Sequence, residues 1–147
     1  MLQDAATLEA RYQRFIKRVC AEQLVWGLHK PAGWATSESN DIDDTELLPF
    51  WSARTYAAAC CQDDWADYAP VSISLPEFLE NWCVGIHQDN GLIATDMDAH
   101  LFGREIEPLQ LALQLIEENQ RQGKQLLLRK YRTTEEFAAL IRAILHD

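Results

Sequence analysis

Apolar residues recur at helical spacing near the start of the chain, where Leu8, Tyr12, Phe15, Ile16 and Val19 make one face. Arg11, Arg14, Lys17 and Arg18 lie mainly on the other side. The spacing predicts a helix from about Ala5 to Ala21, capped by Asp4. The period then shortens. Leu24 to His29 reads as a strand, Lys30-Pro31-Ala32-Gly33 as a turn, and Trp34 to Glu38 as a second strand, which together predict an antiparallel hairpin. Trp26 and Trp34 flank that turn and are expected near one another across the pair. Ser39 to Glu46 is polar and loop-like. Leu47 to Trp51 reads as a third strand, and Pro49, having no N–H to give, suggests an edge position or a bulge.

Ser52 is placed to cap a helix over about Ala53 to Gln62. An irregular acidic and aromatic stretch follows, and then Val71-Ser72-Ile73 alternates like a short strand. Ser74 and Glu77 form a capping box with Pro76 in the first turn. The helix they open is expected to bury Phe78, Leu79, Trp82, Cys83 and Ile86 and to end at Asp89-Asn90-Gly91. Gly91 to Asp96 reads as a strand, with one more short strand suggested around Leu101-Phe102. Pro108 begins a helix that Gly123 ends. Gln125 to Arg129 is apolar and short, either a strand or a further helical turn. Thr133 and Glu136 form a second capping box, and the last helix is expected to turn Phe137, Leu140, Ile141, Ile144 and Leu145 inward. Strands interleaved with helices predict an α+β fold, with one mostly antiparallel sheet of about four to five strands packed against about five helices. A chain of 147 residues is the size of one domain. The expected organisation is therefore a single domain over 1–147.

Charge is what makes the middle of the chain unusual. Residues 35–105 hold 14 Asp or Glu against two basic residues, Arg54 and Arg104. Residues 1–34 hold three acids against five bases, and residues 106–147 hold six of each. All five tryptophans also fall in the interval 26–82. Nucleic acids and anionic membranes need clustered Lys and Arg, so the balance argues against both. It favours fast association with a basic protein partner. No apolar run approaches the roughly 20 residues that span a bilayer. The start lacks the basic and apolar regions of a secretory signal, so a cytoplasmic location is expected. Cys20, Cys60, Cys61 and Cys83 form no C-x-x-C pair and sit in apolar patterns, which predicts core thiols, with at most one of Cys60 and Cys61 deeply buried.

Three constellations are candidates for chemistry or binding. Trp65 and Tyr68 stand among Asp63, Asp64 and Asp67 without periodicity. That leaves two roles open for the pair, contact with a partner or anchoring of the loop. The loop with Glu38, Asp41, Asp43, Asp44 and Glu46 lacks the Gly and alternation of a calcium-binding loop, so it reads as a solvated segment or a contact for a basic partner. Asp96, Asp98 and His100 alternate after a strand and are the weak candidates for a metal site. Cys83 and His87, one helical turn apart, are another ligand pair to consider. Nucleophile elbows and phosphate or dinucleotide loops are absent, so the chain leans away from an enzyme and no cofactor is expected.

Val25-Trp26-Gly27-Leu28, Gly33-Trp34-Ala35, Leu48-Pro49-Phe50-Trp51, Trp65-Ala66-Asp67-Tyr68, Phe78-Leu79-Glu80 and Trp82, in that order, resemble a bacterial domain-of-unknown-function family, number 2750. The resemblance covers about Tyr12 to Glu118 and leaves about 119–147 as a helical extension. It implies a small soluble bacterial α+β protein and supplies no activity. The leading expectation is a non-enzymatic interaction domain that engages a basic partner through Asp41, Asp43, Asp44, Asp63, Asp64, Trp65, Asp67 and Tyr68. A toxin-neutralising immunity protein is one version, by analogy. The alternatives are a small metal-dependent hydrolase using Asp96, Asp98 and His100, or a structural subunit forming a homo-oligomer through Phe137, Ile141 and Ile144.

Overall fold

The computed structural model describes residues 5–146, so the cap expected of Asp4 lies outside the described residues. Helix α1 spans Ala5–Glu22 and buries Tyr12, Phe15, Ile16, Val19 and Cys20, the face its spacing predicts. Gln23 leaves the helix at a φ of 62°. The carbonyls at the end of α1 would otherwise lack partners, and one distant and one adjacent side chain supply them. Lys124 Nζ donates to Cys20 O (3.0 Å) and Ala21 O (2.6 Å), and Gln23 Nε2 donates to Cys20 O (2.7 Å).

The described strands form two sheets rather than the one expected. Strand β1 (Leu24–Lys30) pairs antiparallel with β2 (Gly33–Trp34) on one side and, over six residue pairs, with β5 (Ala69–Ser74) on the other. The second sheet runs β3–β4–β6–β7, from Ser37–Glu38, Glu46–Phe50, Leu92–Thr95 and Arg104–Ile106. Its central pair, β4 and β6, is parallel. The segment read as one strand, Trp34 to Glu38, changes sheet at Ala35-Thr36. The two sheets are joined where Trp26 and Trp51 exchange both backbone hydrogen bonds at 2.8 Å. Trp26 therefore lies opposite Trp51, while Trp34 lies opposite His29. Gly27 makes room for this, because a Cβ there would come within 2.9 Å of the Trp34 ring.

Pro49 sits in an inner strand yet breaks no ladder on one side, because β3 pairs only with Leu47 and Glu46. Locally it is an edge, as its missing donor requires. Strand β7 begins two residues beyond Leu101-Phe102, which are in a loop.

Helix α2 (Arg54–Ala58) is shorter than expected, and its N-cap is Ala53, with no side-chain cap. Helix α3 covers 75–88 as Leu75–Glu77, a π-helical stretch Phe78–Cys83, and Val84–Gln88. Ser74 caps it through the Glu77 N–H (3.4 Å). The wider π turn brings Glu80 inward beside Phe78, Leu79 and Cys83. Glu80 accepts the Arg129 N–H (2.8 Å) and the Lys130 N–H (2.6 Å), which satisfies the buried carboxylate. Helix α4 is Pro108–Arg121 and α5 is Thr134–Leu145. Residues 124–133 hold neither the strand nor the helical turn expected there.

The inner strands β4 and β6 are largely buried and read as near-continuous apolar runs, whereas β5 leaves four of its six residues exposed. The larger core lies between the sheets and α1, α3, α4 and α5, and takes in Val25, Phe50 and Ile93. The smaller core holds Leu28, Leu47, Trp51, Ala57, Cys60, Trp65, Ala94 and Met97. Phe137 and Ile141 of α5 belong to the larger core. Leu140 and Ile144, expected inward, are instead 44% and 38% exposed.

Candidate interaction site

The residues singled out by sequence divide according to whether the fold neutralises them. Asp96 follows β6 in the left-handed region, at a φ of 46°, where Asp is better tolerated than most residues. Its side chain is fully buried. Oδ1 accepts the Ser52 N–H (2.7 Å), and Oδ2 accepts the Ser52 hydroxyl (2.8 Å) and Arg14 Nε and Nη2 (3.2 and 3.1 Å). Ser52 thus grips Asp96 instead of capping α2. Arg14 is held in turn over the Tyr56 ring, 4.3 Å from its centroid. These donors hold Asp96 in a structural ion pair.

Asp98 organises the loop that follows. Its Oδ1 accepts the N–H groups of His100 (2.9 Å) and Phe102 (3.2 Å), and Oδ2 accepts Arg11 Nη1 (3.3 Å). His100 lines a cavity of about 280 Å³ together with Ser37, Cys60, Asp63, Asp64 and Trp65, among others. Asp96 and Asp98 are thus each taken up by donors of the protein itself, Ser52 and Arg14 for the first and the loop N–H groups and Arg11 for the second. Among the described residues no group of three or more His, Cys, Asp or Glu is arranged to hold a metal ion. The second pair separates: Cys83 is buried, whereas His87 Nδ1 lies 2.6 Å from Glu107 Oε1. Glu107 Oε2 meanwhile caps α4 by accepting the N–H groups of Leu109 and Gln110.

The thiols behave as core groups. Burial pushes Cys60 up to about 11 and Cys20 up to about 12, and raises Cys61 and Cys83 as well. Cys60 donates to Met97 O at 3.4 Å. Cys60 is buried and Cys61 half-buried, both lying in the turn beyond the end of α2. Thiols held this far above neutrality stay protonated and are poor nucleophiles.

Trp65 is turned inward. It belongs to a single 3₁₀ turn, Asp63–Trp65, is 7% exposed, and meets Trp51 edge-on with ring centroids 6.2 Å apart. The indole anchors the loop and leaves Asp63, Asp64 and Asp67 outside. Tyr68 is half-buried beneath Lys30, whose Nζ is 4.7 Å from the ring centroid. Asp41, Asp43 and Asp44 are exposed on the loop leaving β3. Ser39 and Asn40 pin the start of that loop to the Glu105 carboxylate. Among the described residues, none of the six carboxylates Asp41, Asp43, Asp44, Asp63, Asp64 and Asp67 forms an ion pair.

Sequence reasoning missed Arg14 and Ser52 as the partners of Asp96, and Thr36, Ser37 and Cys60 as the wall facing Asp63 and Asp64. The helical pattern did place Arg14 off the apolar face, but nothing local joins it to a residue 82 positions away. No described helix is long and apolar enough to cross a membrane.

An α+β protein with two short sheets joined at a tryptophan pair, and with exposed acidic loops beside them, is the class that this geometry defines. The chain belongs to the family described as Protein of unknown function (DUF2750), which matches residues 12–115. No curated protein and no solved structure matches it.

Proposed function

We propose that this protein is a non-enzymatic interaction domain that takes a basic protein partner through Asp41, Asp43, Asp44, Asp63, Asp64 and Asp67, with the half-buried Tyr68 beside them. The observation that carries this reading is the contrast in pairing. Asp96 and Asp98 are matched with Arg14 and Arg11, whereas the six loop carboxylates are exposed and, among the described residues, pair with no cation. Unpaired charge of one sign raises the rate of encounter with a partner of the other sign and makes it salt-dependent. Neutralising a basic toxin is one form such binding would take, by analogy alone. Affinity capture from a lysate at low and at high salt tests the reading. A partner is expected at low salt and reduced at high salt, with capture lost on reversing Asp41, Asp43 and Asp44 to Lys. Capture indifferent to those reversals would overturn it.

A second reading, self-association, is favoured by Leu140 and Ile144, which lie one turn apart and exposed on α5. Phe137 and Ile141, expected in that contact, are spent in the core. Light scattering should then give a smaller mass for Leu140→Glu than for the native chain, and an unchanged mass would remove this reading.

A further inference from the structure

The face of the four-stranded sheet that looks toward α3 carries an apolar groove with an acidic rim. Phe50 on this face meets Phe78 and Trp82 of α3, with ring centroids 4.9 and 5.5 Å apart. Leu48, two residues earlier and so on the same face, lines a groove of about 250 Å³ with Trp82, Gly85 and Ile86. Gly85 leaves the floor open, since a Cβ there would meet nothing within 4 Å. Leu48 and Trp82 are only half-buried.

One acid lines the groove and two more share its sheet face. Asp89 lines it directly. Glu46 precedes Leu48 by two residues on the same face, and Glu38 lies directly opposite Glu46 in the β3–β4 pair. Like charges set directly opposite destabilise a strand pair, and among the described residues none of these three carboxylates forms an ion pair. A cation between them would relieve the repulsion, and an apolar side chain in the groove would cover Trp82 and Leu48.

We infer that this groove docks a partner segment in which an apolar side chain is flanked by lysine or arginine. The apolar side chain enters between Leu48 and Gly85, and the flanking cations meet Glu38, Glu46 and Asp89. The inference rests on the proposed basic partner and gives it a place of anchorage distinct from the acidic loops.

The test titrates the full chain, isotopically labelled for NMR, with a short peptide of alternating lysine and leucine and with its lysine–serine counterpart. The expected result is a set of leucine-dependent shifts at Leu48, the Trp82 indole, Gly85 and Ile86. Gly85→Leu fills the groove and should weaken the lysine–leucine peptide about tenfold or more, with the thermal midpoint reporting that the variant is folded. Glu38→Gln with Glu46→Gln should lower both the affinity and its salt dependence. Shifts confined to residues 39–45 and 63–67, equal for both peptides and unchanged by Gly85→Leu, would overturn the groove and leave the acidic-loop reading standing. Binding of neither peptide would overturn both.

Discussion

Asp96 and Asp43 both stand in short acidic runs at the end of a strand or a loop, and in sequence they look alike. In the fold the Asp96 side chain is fully buried, with two Ser52 donors and the Arg14 guanidinium on its oxygens. Asp43 is exposed, and its carboxylate pairs with no described cation. The difference shows what the acidic middle of the chain consists of. One part of its charge is structural and is neutralised by bases from α1, and another part is left for the solvent or a partner. A net charge summed along the sequence does not separate the two.

The comparison is tested most severely at Trp51, which is 0% exposed and donates its indole N–H to Met97 O at 2.9 Å. Trp51→Ala should cost about 3–5 kcal/mol in urea denaturation. A near-zero change would mean that the Asp96 side of the molecule is not a packed interior. Asp96→Ala comes next, at about 2–3 kcal/mol, because it strands two Ser52 donors. The Arg14 side chain is 40% exposed and keeps some of its water, so a larger cost is not expected. If Asp96→Ala proved as mild as Asp43→Ala, the division between structural and free carboxylates would collapse.

Cys60 marks the same buried side through pH. Its folded-state pKa of about 11 lies above the ordinary 9.0, so the thiol contributes stability that is intact below pH 9 and lost as pH rises toward 11. The loss should be about 1 kcal/mol one unit above the ordinary value. Urea midpoints for the native chain should fall over that interval, and Cys60→Ala should flatten the fall. Equal slopes would show that Cys60 ionises as freely folded as unfolded. The smallest effect is expected at the loop. Converting Asp41, Asp43 and Asp44 together to Asn should leave stability within about 0.5 kcal/mol per site, since Asn also tolerates the left-handed backbone of Asp44, at a φ of 56°. A clear destabilisation would show that those carboxylates serve the fold.

Much of the fold was legible because its cues are local. The face of α1, the two capping boxes at Ser74 and Thr133, and the Gly123 stop, at a φ of 73°, came directly from spacing and residue type. The number of sheets was not legible. Trp34 to Glu38 carries no breaker, and its change of sheet depends on the Trp26–Trp51 pairing. The π turn of α3 was also hidden, because Glu80 is held inward by backbone N–H groups about fifty residues away. At the candidate site the exposed carboxylates were legible as polar loop residues. The burial of Trp65 was not, since its partner Trp51 comes from another element.

Composition and periodicity alone therefore determined an acidic α+β chain with an amphipathic first helix, mostly buried thiols and loops at 39–45 and 63–68. Hydrophobic period and capping act within a few residues, so they survive the absence of a fold. Only the tertiary structure decided which aspartates are spent, which tryptophan anchors a loop, and where an open apolar groove meets unpaired acids. Ion pairs, ring contacts and grooves depend on distances between residues far apart in sequence, and those distances exist only once the chain has closed.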